Sequence, residues 1–319
     1  MRRSMLRARR LCAVPGALCF AIGLAEVPAT AQSDPQGNSI TMNVRDRSVS
    51  YGHGVVVTGR VSGAGAGAGV TLQHRPRGGQ WQSLRDGATG AGGRYRLVAP
   101  VPSSGELRVV AGSADAWAAN ADAPAPAGSA VARVAVAADI VPGRNRVNVL
   151  AGRRALVRGA VRPAVAGERV TLQRRAGHGW KTVARRTTRA GGRFTFRFRP
   201  RRPSSAPLRI RAAGTPQAAG TREIVGRLNV YRRAFVSWYG PGLFGGHLGC
   251  GGTLTPGTLG VANKSLPCGT RVTLRHGGRI IRVRVIDRGP YVAGREFDLT
   301  SATKERLGFG GVGEIMVTV

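Results

Sequence analysis

Hydrophobic and polar residues alternate along much of the chain with a period of two. Val55, Val57, Gly59 and Val61 occupy alternate positions, and the segment FTFRF at 194–198 repeats the pattern with phenylalanine. Because successive side chains of a β-strand point to opposite faces, this alternation predicts strands that bury one face. Glycine-rich turns separate these short runs. The pattern therefore predicts a chain that is mainly β.

Two segments of the chain repeat each other. Residues 69–112 and 169–214 share a TLQ triplet, a tryptophan, a GGR triplet followed by an aromatic residue, and a PSS triplet, in that order. A period this long indicates duplication of a domain rather than a solenoid. With several short strands in each copy, it predicts two tandem immunoglobulin-like β-sandwich domains. Trp81 and Trp180, one in each copy, are expected to anchor the two cores.

Changes in composition predict the other boundaries. Residues 1–31 combine a basic start, a short apolar run and an Ala-x-Ala site, which is typical of a cleaved signal peptide. The two sandwiches are expected at 32–137 and 138–231, and the Ala/Pro-rich segment 113–130 is interpreted as a mobile loop. No later segment is apolar and long enough to span a bilayer. The mature protein is therefore expected to be exported and soluble, with no transmembrane anchor.

The last domain is expected to span residues 232–319. Its sequence changes to short apolar runs separated by glycine-rich loops, and one amphipathic segment, SATKERLGF, predicts a short helix. The runs that predict strands are AFVSWY, TRVTLRH, RIIRVRVID and EIMVTV. Together they predict a compact, mostly β barrel with one or two short helices.

Two of the four cysteines would remain after removal of the signal peptide. Cys250 and Cys268 form an even pair in an exported chain, which indicates a disulfide. A metal pair is the alternative, but the Cys and His residues nearby lack the spacing of a zinc site. Neither a metal nor a cofactor is expected.

The chain is strongly basic, with 49 Lys and Arg, 15 Asp and Glu, and a formal net charge of +34. An exported protein of this charge would meet acidic wall polymers and lipid headgroups rather than nucleic acid. The excess of arginine over lysine also fits a simple compositional bias. In residues 138–231 basic residues outnumber acidic ones about sevenfold, so the second sandwich either binds anionic polymers through this surface or is a spacer with a solvated basic face.

Two aspartates lie close together in the segment VIDRGPYVAGREFDLT at 285–300. Asp287 ends a predicted strand, and Asp298 precedes the predicted helix, which Asp298 or Thr300 would cap. A strand end and a helix start would place both carboxylates at one rim of the barrel. Either one could transfer a proton, or could instead order the loop by accepting backbone hydrogen bonds.

Three charged or titratable residues near these aspartates could affect their ionisation or share their role in proton transfer. Arg288 and Arg295 flank them and would favour the ionised carboxylates, and Arg288 could also be the ion-pair partner of Asp287. His247 in the loop GGHLG could offer a proton, although a single loop histidine is more typical of a solvated side chain.

Several motifs of the last domain occur in an order that resembles one known family. They are SWYGPG at 237–242, TLT at 253–255, ANKSLPCGTRV at 262–272 and DRGPY at 287–291. These motifs resemble the rare lipoprotein A (RlpA) family, and EFDLT is similar to a segment of expansins. The resemblance covers residues 234–319 and implies a six-stranded double-psi β-barrel.

That family includes peptidoglycan lytic transglycosylases, so the resemblance implies cleavage of the β-1,4 bond between MurNAc and GlcNAc. One carboxyl group protonates the leaving oxygen and then removes the proton of the muramyl 6-hydroxyl, which closes a 1,6-anhydro ring. The aspartate of the DRGP motif matches Asp287, and the aspartate of the related barrels matches Asp298. Tyr239, Thr253 and Lys264 are expected to line the glycan groove.

Two positions depart from the family pattern. The acidic residue of a TASGE-like stretch falls on Gly252, and the histidine of an AAH-like triplet falls on Asn263. Asn263 can hydrogen-bond a sugar, and is expected to bind substrate, but it cannot transfer a proton near neutral pH. A non-catalytic, expansin-like protein that binds peptidoglycan or another polysaccharide is therefore the alternative function. A secreted module that binds a protein partner is a third.

Overall fold

The computed structural model of the protein describes residues 39–112 and 128–319. The predicted signal peptide at 1–31 and most of the predicted loop at 113–130 lie outside these residues. The described chain is mainly β, and its only α-helix is short. None of the helices in this part of the chain has the length and apolar character needed to cross a membrane.

The first repeat is built from two facing sheets. Its strands are β1 (Ile40–Val44), β2 (Ser48–Ser50), β3 (Gly54–Val61), β4 (Gly69–Pro76), β5 (Gln82–Ala88), β6 (Arg94–Pro100), β7 (Gly105–Ala111) and β8 (Ala132–Ala137). One sheet has the order β1–β3–β6, and the other has the order β5–β4–β7–β8, with β2 paired to β8. A 3₁₀ turn at Ala91–Gly93 leads into β6.

The second repeat has the same two-sheet arrangement. Its strands are β9 (Asp139–Pro142), β10 (Asn148–Leu150), β11 (Ala155–Arg162), β12 (Arg169–Ala176), β13 (Gly179–Thr187), β14 (Arg193–Phe198), β15 (Ser204–Gly214) and β16 (Ala219–Tyr239). One sheet has the order β14–β11–β9, and in the other β13, β12, β15 and β16 are neighbours, with β10 paired to β16. A 3₁₀ turn at Ala190–Gly192 precedes β14.

Each repeat encloses its own hydrophobic core. Val57 and Leu72 have no exposed surface in the first core, and their counterparts Val157 and Leu172 have none in the second. These residues come from both sheets of each repeat, so the apolar faces of the two sheets pack against each other. The period-two pattern of the sequence is the cause, because it gives every strand one apolar face.

Trp81 and Trp180 lie outside these cores, so the prediction that they anchor them was wrong. The pairing of β12 with β13 shifts between Leu172 and Gln173, which is a β-bulge, and the first repeat has the same bulge. Strict alternation from Ala184, which pairs with Leu172, would turn Trp180 to the core. The extra residue of the bulge turns it to the outer face instead.

The C-terminal domain is a closed barrel of six strands. The last part of β16 is joined by β17 (Val261–Ala262), β18 (Arg271–His276), β19 (Arg279–Asp287), β20 (Phe297–Thr300) and β21 (Gly313–Thr318). The order is β16–β21–β18–β19–β17–β20, and β20 pairs with β16 to close the ring. Since β16 pairs with β15 in its first part, one unbroken strand passes from the second repeat into the barrel.

The predicted helix is present as α1 (Ser301–Leu307). Of the two candidate caps, Thr300 is the N-cap: its hydroxyl oxygen accepts a hydrogen bond from the Thr303 N–H. Gly308, with a φ of 65°, ends the helix in the left-handed conformation that glycine tolerates. Asp298 is therefore available for another role.

His74 makes the stability of the first repeat depend on pH. Its side chain is fully buried, and within the described residues neither ring nitrogen has a well-aligned hydrogen-bond partner. Burial lowers the pKa of His74 below its ordinary value, and a backbone group of Ser103 offsets part of this effect. The folded state therefore favours the neutral ring, while the unfolded chain takes up a proton near pH 6.5.

We expect the first repeat to be fully stable above pH 6.5 and to lose up to about 1.4 kcal/mol per pH unit below it. Hydrogen exchange of β4 and β7 in the full chain, measured between pH 8 and pH 5, would report this loss after correction for intrinsic rates. A His74→Gln variant should lose this dependence. If the stability of that variant depends on pH in the same way, a group other than His74 causes the dependence.

Candidate functional site

The two aspartates meet at one end of the barrel because of a short central strand. Ala262 of β17 pairs with Asp287 of β19 on one side and with Asp298 of β20 on the other. The two Cα atoms are therefore about 10 Å apart, or two strand spacings. Tyr239 ends β16 at the same place, opposite Thr300 of β20.

Asp287 is fixed by two backbone donors. Its Oδ1 accepts hydrogen bonds from the N–H of Gly249 at 2.7 Å and from the N–H of Arg288 at 2.8 Å. A Cβ atom on Gly249 would lie only 3.0 Å from this oxygen and 2.9 Å from the Arg288 Cγ. Glycine is thus needed for the close approach of this loop. Both donors bind Oδ1, which orients the half-exposed carboxylate, and none of the backbone N–H groups in the described chain donates to Oδ2.

Tyr239 lies beside both carboxylates. Its hydroxyl oxygen is buried, and no partner among the described residues is in full hydrogen-bonding geometry. Burial, and then the charges of Asp287 and Asp298, raise the pKa of Tyr239 well above its ordinary value. The phenol is therefore protonated at neutral pH and can act as a hydrogen-bond donor toward Asp287.

Asp298 occupies a different environment. The Ser237 hydroxyl donates a hydrogen bond to its Oδ1, and the Arg295 Nη1 donates to the Ser237 oxygen at 3.2 Å. Arg295 thus reaches Asp298 through an intervening hydroxyl rather than as an ion pair. Asp298 is half-buried, whereas its neighbours Phe297 and Leu299 point into the core.

Arg288 does not pair with Asp287, so that alternative was wrong. Its Nη1 donates to the carbonyl oxygens of Asn263 at 3.1 Å and Leu266 at 2.7 Å, and its Nη2 approaches the Cys268 sulfur at 2.9 Å. The guanidinium therefore orders the loop after β17. Among the described residues, neither Asp287 nor Asp298 forms a side-chain ion pair.

The predicted groove residues differ in exposure. Lys264 and Thr253 are exposed, and Thr253 forms an isolated β-bridge with the exposed His247. Asn263 is only 6% exposed. Its amide donates to the Glu296 carbonyl at 2.9 Å, and its Oδ1 accepts from two backbone N–H groups at 3.1 and 2.8 Å. Its side chain is thus engaged within the protein, and its contact with substrate stays a prediction.

A disulfide joins the two loops next to Asp287. Cys250 bonds to Cys268, and the Cys250 N–H donates to the Ile286 carbonyl at 3.2 Å. Gly252, two residues later, has a φ of 87°, which a residue with a side chain rarely adopts. The acidic residue that the family carries at this position would therefore be strained in the loop as it is folded here.

Large apolar side chains are exposed on the loops that surround the site. Tyr291, four residues after Asp287, is 81% exposed, and Val292 is 52% exposed. Leu243 and Phe244, in the loop that follows Tyr239, are 56% and 40% exposed. Sequence reasoning did not single out these residues, although Tyr291 belongs to the DRGPY motif. Exposed aromatic and aliphatic groups beside a polar site are typical of a binding surface.

Sequence reasoning also missed two residues that hold the aspartates, Gly249 and Ser237. Ser237 opens the SWYGPG motif, and its position opposite Asp298 follows from the parallel pairing of β16 with β20. Gly249 could be found only from the fold, because its N–H meets Asp287 across 38 residues of sequence. In the described part of the chain no group of three or more His, Cys, Asp or Glu residues is arranged to hold a metal ion.

The barrel matches a known protein family. The family model described as "Lytic transglycolase" matches residues 233–319. The chain is 33% identical over 119 residues to a probable endolytic peptidoglycan transglycosylase RlpA of Synechocystis, covering 36% of this chain and 35% of that protein. It is 40% identical over 73 residues to the endolytic peptidoglycan transglycosylase RlpA of Campylobacter jejuni, covering 22% of this chain and 26% of that protein.

The chain thus spans about a third or less of the length of these relatives. Among solved structures, a tetra-tandem repeat from the extending region of a large adhesion protein aligns with 83% of this chain and 72% of its own, at 14% identity. Its TM-score of 0.31 is too low to establish a shared fold. The family match, by contrast, coincides with the six-stranded barrel. Residues 233–319 therefore form an RlpA-like double-psi β-barrel domain.

Proposed function

We propose that the barrel acts on the glycan strands of peptidoglycan as a lytic transglycosylase. The proposal depends above all on Asp287, a half-exposed carboxylate that two backbone N–H groups orient at the open end of the barrel. The names of the RlpA relatives support peptidoglycan as the substrate class. Action on the wall in turn supports a secreted protein, consistent with the signal peptide predicted at 1–31.

Asp287 would act first as an acid and then as a base. Its carboxyl group would protonate the oxygen that leaves C1 of MurNAc, and its carboxylate would then take the proton of the muramyl 6-hydroxyl. That oxygen closes the 1,6-anhydro ring, so the proton returns to Asp287 and no water is consumed. One acid/base group is enough for this sequence, whereas hydrolytic glycosidases use two carboxylates. Tyr239 would donate a hydrogen bond to Asp287, and Asp298 would be the second candidate acid.

Binding without cleavage is the second candidate function. Gly252 stands where the family carries an acid, and the buried Asn263 stands where it carries a histidine. Neither residue can transfer a proton near neutral pH. The exposed Lys264 and Thr253 and the apolar loop residues would still contact a glycan strand. An expansin-like, wall-binding role therefore has support from the same site.

Digestion of purified sacculi separates these two functions. The full chain should sediment with sacculi and should also release soluble muropeptides that end in 1,6-anhydro-MurNAc. Sedimentation without release would favour the binding protein. If the chain neither sediments with sacculi nor releases fragments at moderate salt, both proposals fail.

Tyr291 provides a test of glycan contact that does not require catalysis. A Tyr291→Ala variant should bind sacculi several-fold more weakly, because an exposed aromatic ring that stacks on a sugar contributes about 1 kcal/mol or more. A Val98→Ala variant, which truncates an exposed apolar residue of the first repeat, is the control. Equal binding by the Tyr291→Ala variant and the native chain would exclude Tyr291 from the contact surface.

We also propose the domain organisation expected from the sequence: a signal peptide at 1–31, immunoglobulin-like domains at 32–137 and 138–231, and the barrel at 232–319. Two separate cores and the matching sheet orders of the repeats support this division. Because β16 runs through the last boundary, the second domain and the barrel share a strand.

A further inference from the structure

The second repeat carries a cluster of arginines on the outer face of its larger sheet. Arg175, Arg209, Arg211 and Arg222, together with Trp180, are called the arginine face. Arg211 pairs with Arg222 across β15 and β16, and Arg175 pairs with Trp180 across β12 and β13. Arg175, Arg211 and Arg222 are exposed, and Arg209 and Trp180 are half-buried. The face thus spans four neighbouring strands.

Two of these side chains are held in place. The Arg209 guanidinium lies 4.2 Å from the centre of the Trp180 ring, and the Arg175 guanidinium lies 5.7 Å from it. Arg209 Nε also donates to the Gln173 Oε1 at 2.8 Å, which leaves its terminal nitrogens for a ligand. Because guanidinium groups cover the Trp180 ring, the ring is not available as a platform on which a base or a sugar could stack.

No acid of the second repeat neutralises this face. Asp139 is on β9, in the other sheet, and Glu168 is buried with its Oε1 bound to the Gly214 N–H. Glu223 follows Arg222 directly along β16, so its side chain points to the opposite face. Burial, and then the neighbouring charges of Arg222, Arg211 and Arg175, lower the pKa of Arg209.

The first repeat provides an internal comparison. There Arg75 and Arg108 lie over Trp81 at 4.7 and 4.3 Å, so the same unit is present. One of these two charges is neutralised, however, because Glu106 accepts a hydrogen bond from the Arg75 Nε at 2.9 Å. The strand pairing places Pro207 at the position of Glu106.

A second acidic residue of the first repeat also has no acidic counterpart in the second repeat. In the first repeat Asp86 pairs with Thr71, and in the second Arg185 pairs with Thr171. The positions of both acids, Glu106 and Asp86, are therefore occupied differently in the second repeat, one by a neutral residue and one by a cation. The two copies share a fold, so the difference lies in what the face can bind.

We propose that the arginine face binds a linear polymer of polyol phosphates. Guanidinium groups bind phosphate in a bidentate manner, and a row of them across three strands fits a chain of phosphates better than a single ion. The covered Trp180 ring argues against nucleic acid, since no aromatic surface is left for bases. Ile224 is the one large apolar residue exposed on this part of the described sheet, which argues against insertion into a bilayer.

The test is a titration of the full chain with a fluorescent glycerol-phosphate oligomer of about ten units at several salt concentrations. An Arg209→Gln, Arg211→Gln, Arg222→Gln variant should bind at least tenfold more weakly, with a salt dependence reduced by up to about three charges. The matched control is Arg60→Gln, Arg94→Gln, Arg96→Gln, which removes three exposed arginines from the first repeat. It should change the affinity less than twofold.

A second variant asks the same question by adding acids. Arg185→Asp with Pro207→Glu gives the second repeat the two acids of the first and should also weaken binding at least tenfold, without removing any of the four arginines. If the triple variant of the arginine face and the control lose affinity equally, binding depends only on net charge, and the proposal is overturned. Tighter binding to a single-stranded oligonucleotide of equal charge, or to anionic vesicles, would overturn the choice of ligand. Because sacculus cleavage is not measured, the outcome is independent of the barrel's activity.

Discussion

An Asp287→Asn variant should release muropeptides from sacculi about 10²–10⁴-fold more slowly than the native chain, which is the usual contribution of a general acid or base. Asparagine keeps an Oδ1 atom that can accept the Gly249 and Arg288 N–H groups, so the loop should stay folded. What it loses is the capacity of the carboxyl group to donate and accept a proton near neutral pH. Rates of soluble product formation from purified sacculi, with sedimentation as a measure of binding, provide the measurement.

The same variant separates the catalytic role from a structural one. If Asp287 only orders its loop, asparagine should preserve activity, and only Asp287→Ala, which removes both hydrogen bonds, should reduce it. Asp298→Asn is the matched control at the neighbouring carboxylate. A large loss in Asp298→Asn, with full activity in Asp287→Asn, would transfer the acid/base role to Asp298.

Removal of the disulfide should produce the second large effect. A Cys250→Ser, Cys268→Ser variant should unfold its barrel with a free energy about 3 kcal/mol lower, because the closed loop of 18 residues no longer restricts the unfolded chain. The loop that carries Gly249 should also loosen, which would weaken its hold on Asp287. Pulse proteolysis of the full chain in urea, with fragments assigned to the barrel, measures the change.

Reduction of the native protein serves as the control. Dithiothreitol should lower the stability of the native barrel to that of the double variant and should leave the variant unchanged. Equal stability of the native barrel with and without reductant would show that the disulfide contributes nothing. A loss confined to the two repeats would point to a fault elsewhere in the variant.

Much of the fold could be predicted because each local sequence pattern is compatible with one type of secondary structure. Alternating apolar residues such as Val55 and Val57 can bury one face only as strands, and the segment after Thr300 carries both a cap and a helical pattern. The positions of Trp81 and Trp180 could not be predicted. A single extra residue in a bulge reverses the face of every residue beyond it, and no pattern in the sequence marks that residue.

The site was predictable to a lesser extent. The motifs around Asp287 and Asp298 identified the two carboxylates, but their partners depend on strand pairing. Ser237 meets Asp298 through a parallel pair, and Gly249 meets Asp287 through a loop closed by the disulfide. β17 is only two residues long, so no periodicity could have revealed the strand that brings the aspartates together.

Cleavage of glycan strands without water is the activity proposed for the barrel. It is tested most directly by digestion of sacculi with the full chain in H₂¹⁸O, followed by mass spectrometry of the soluble products. We expect products that end in 1,6-anhydro-MurNAc, each one water lighter than the hydrolysed form and free of ¹⁸O. Reducing ends that carry one ¹⁸O atom would show hydrolysis and contradict the account.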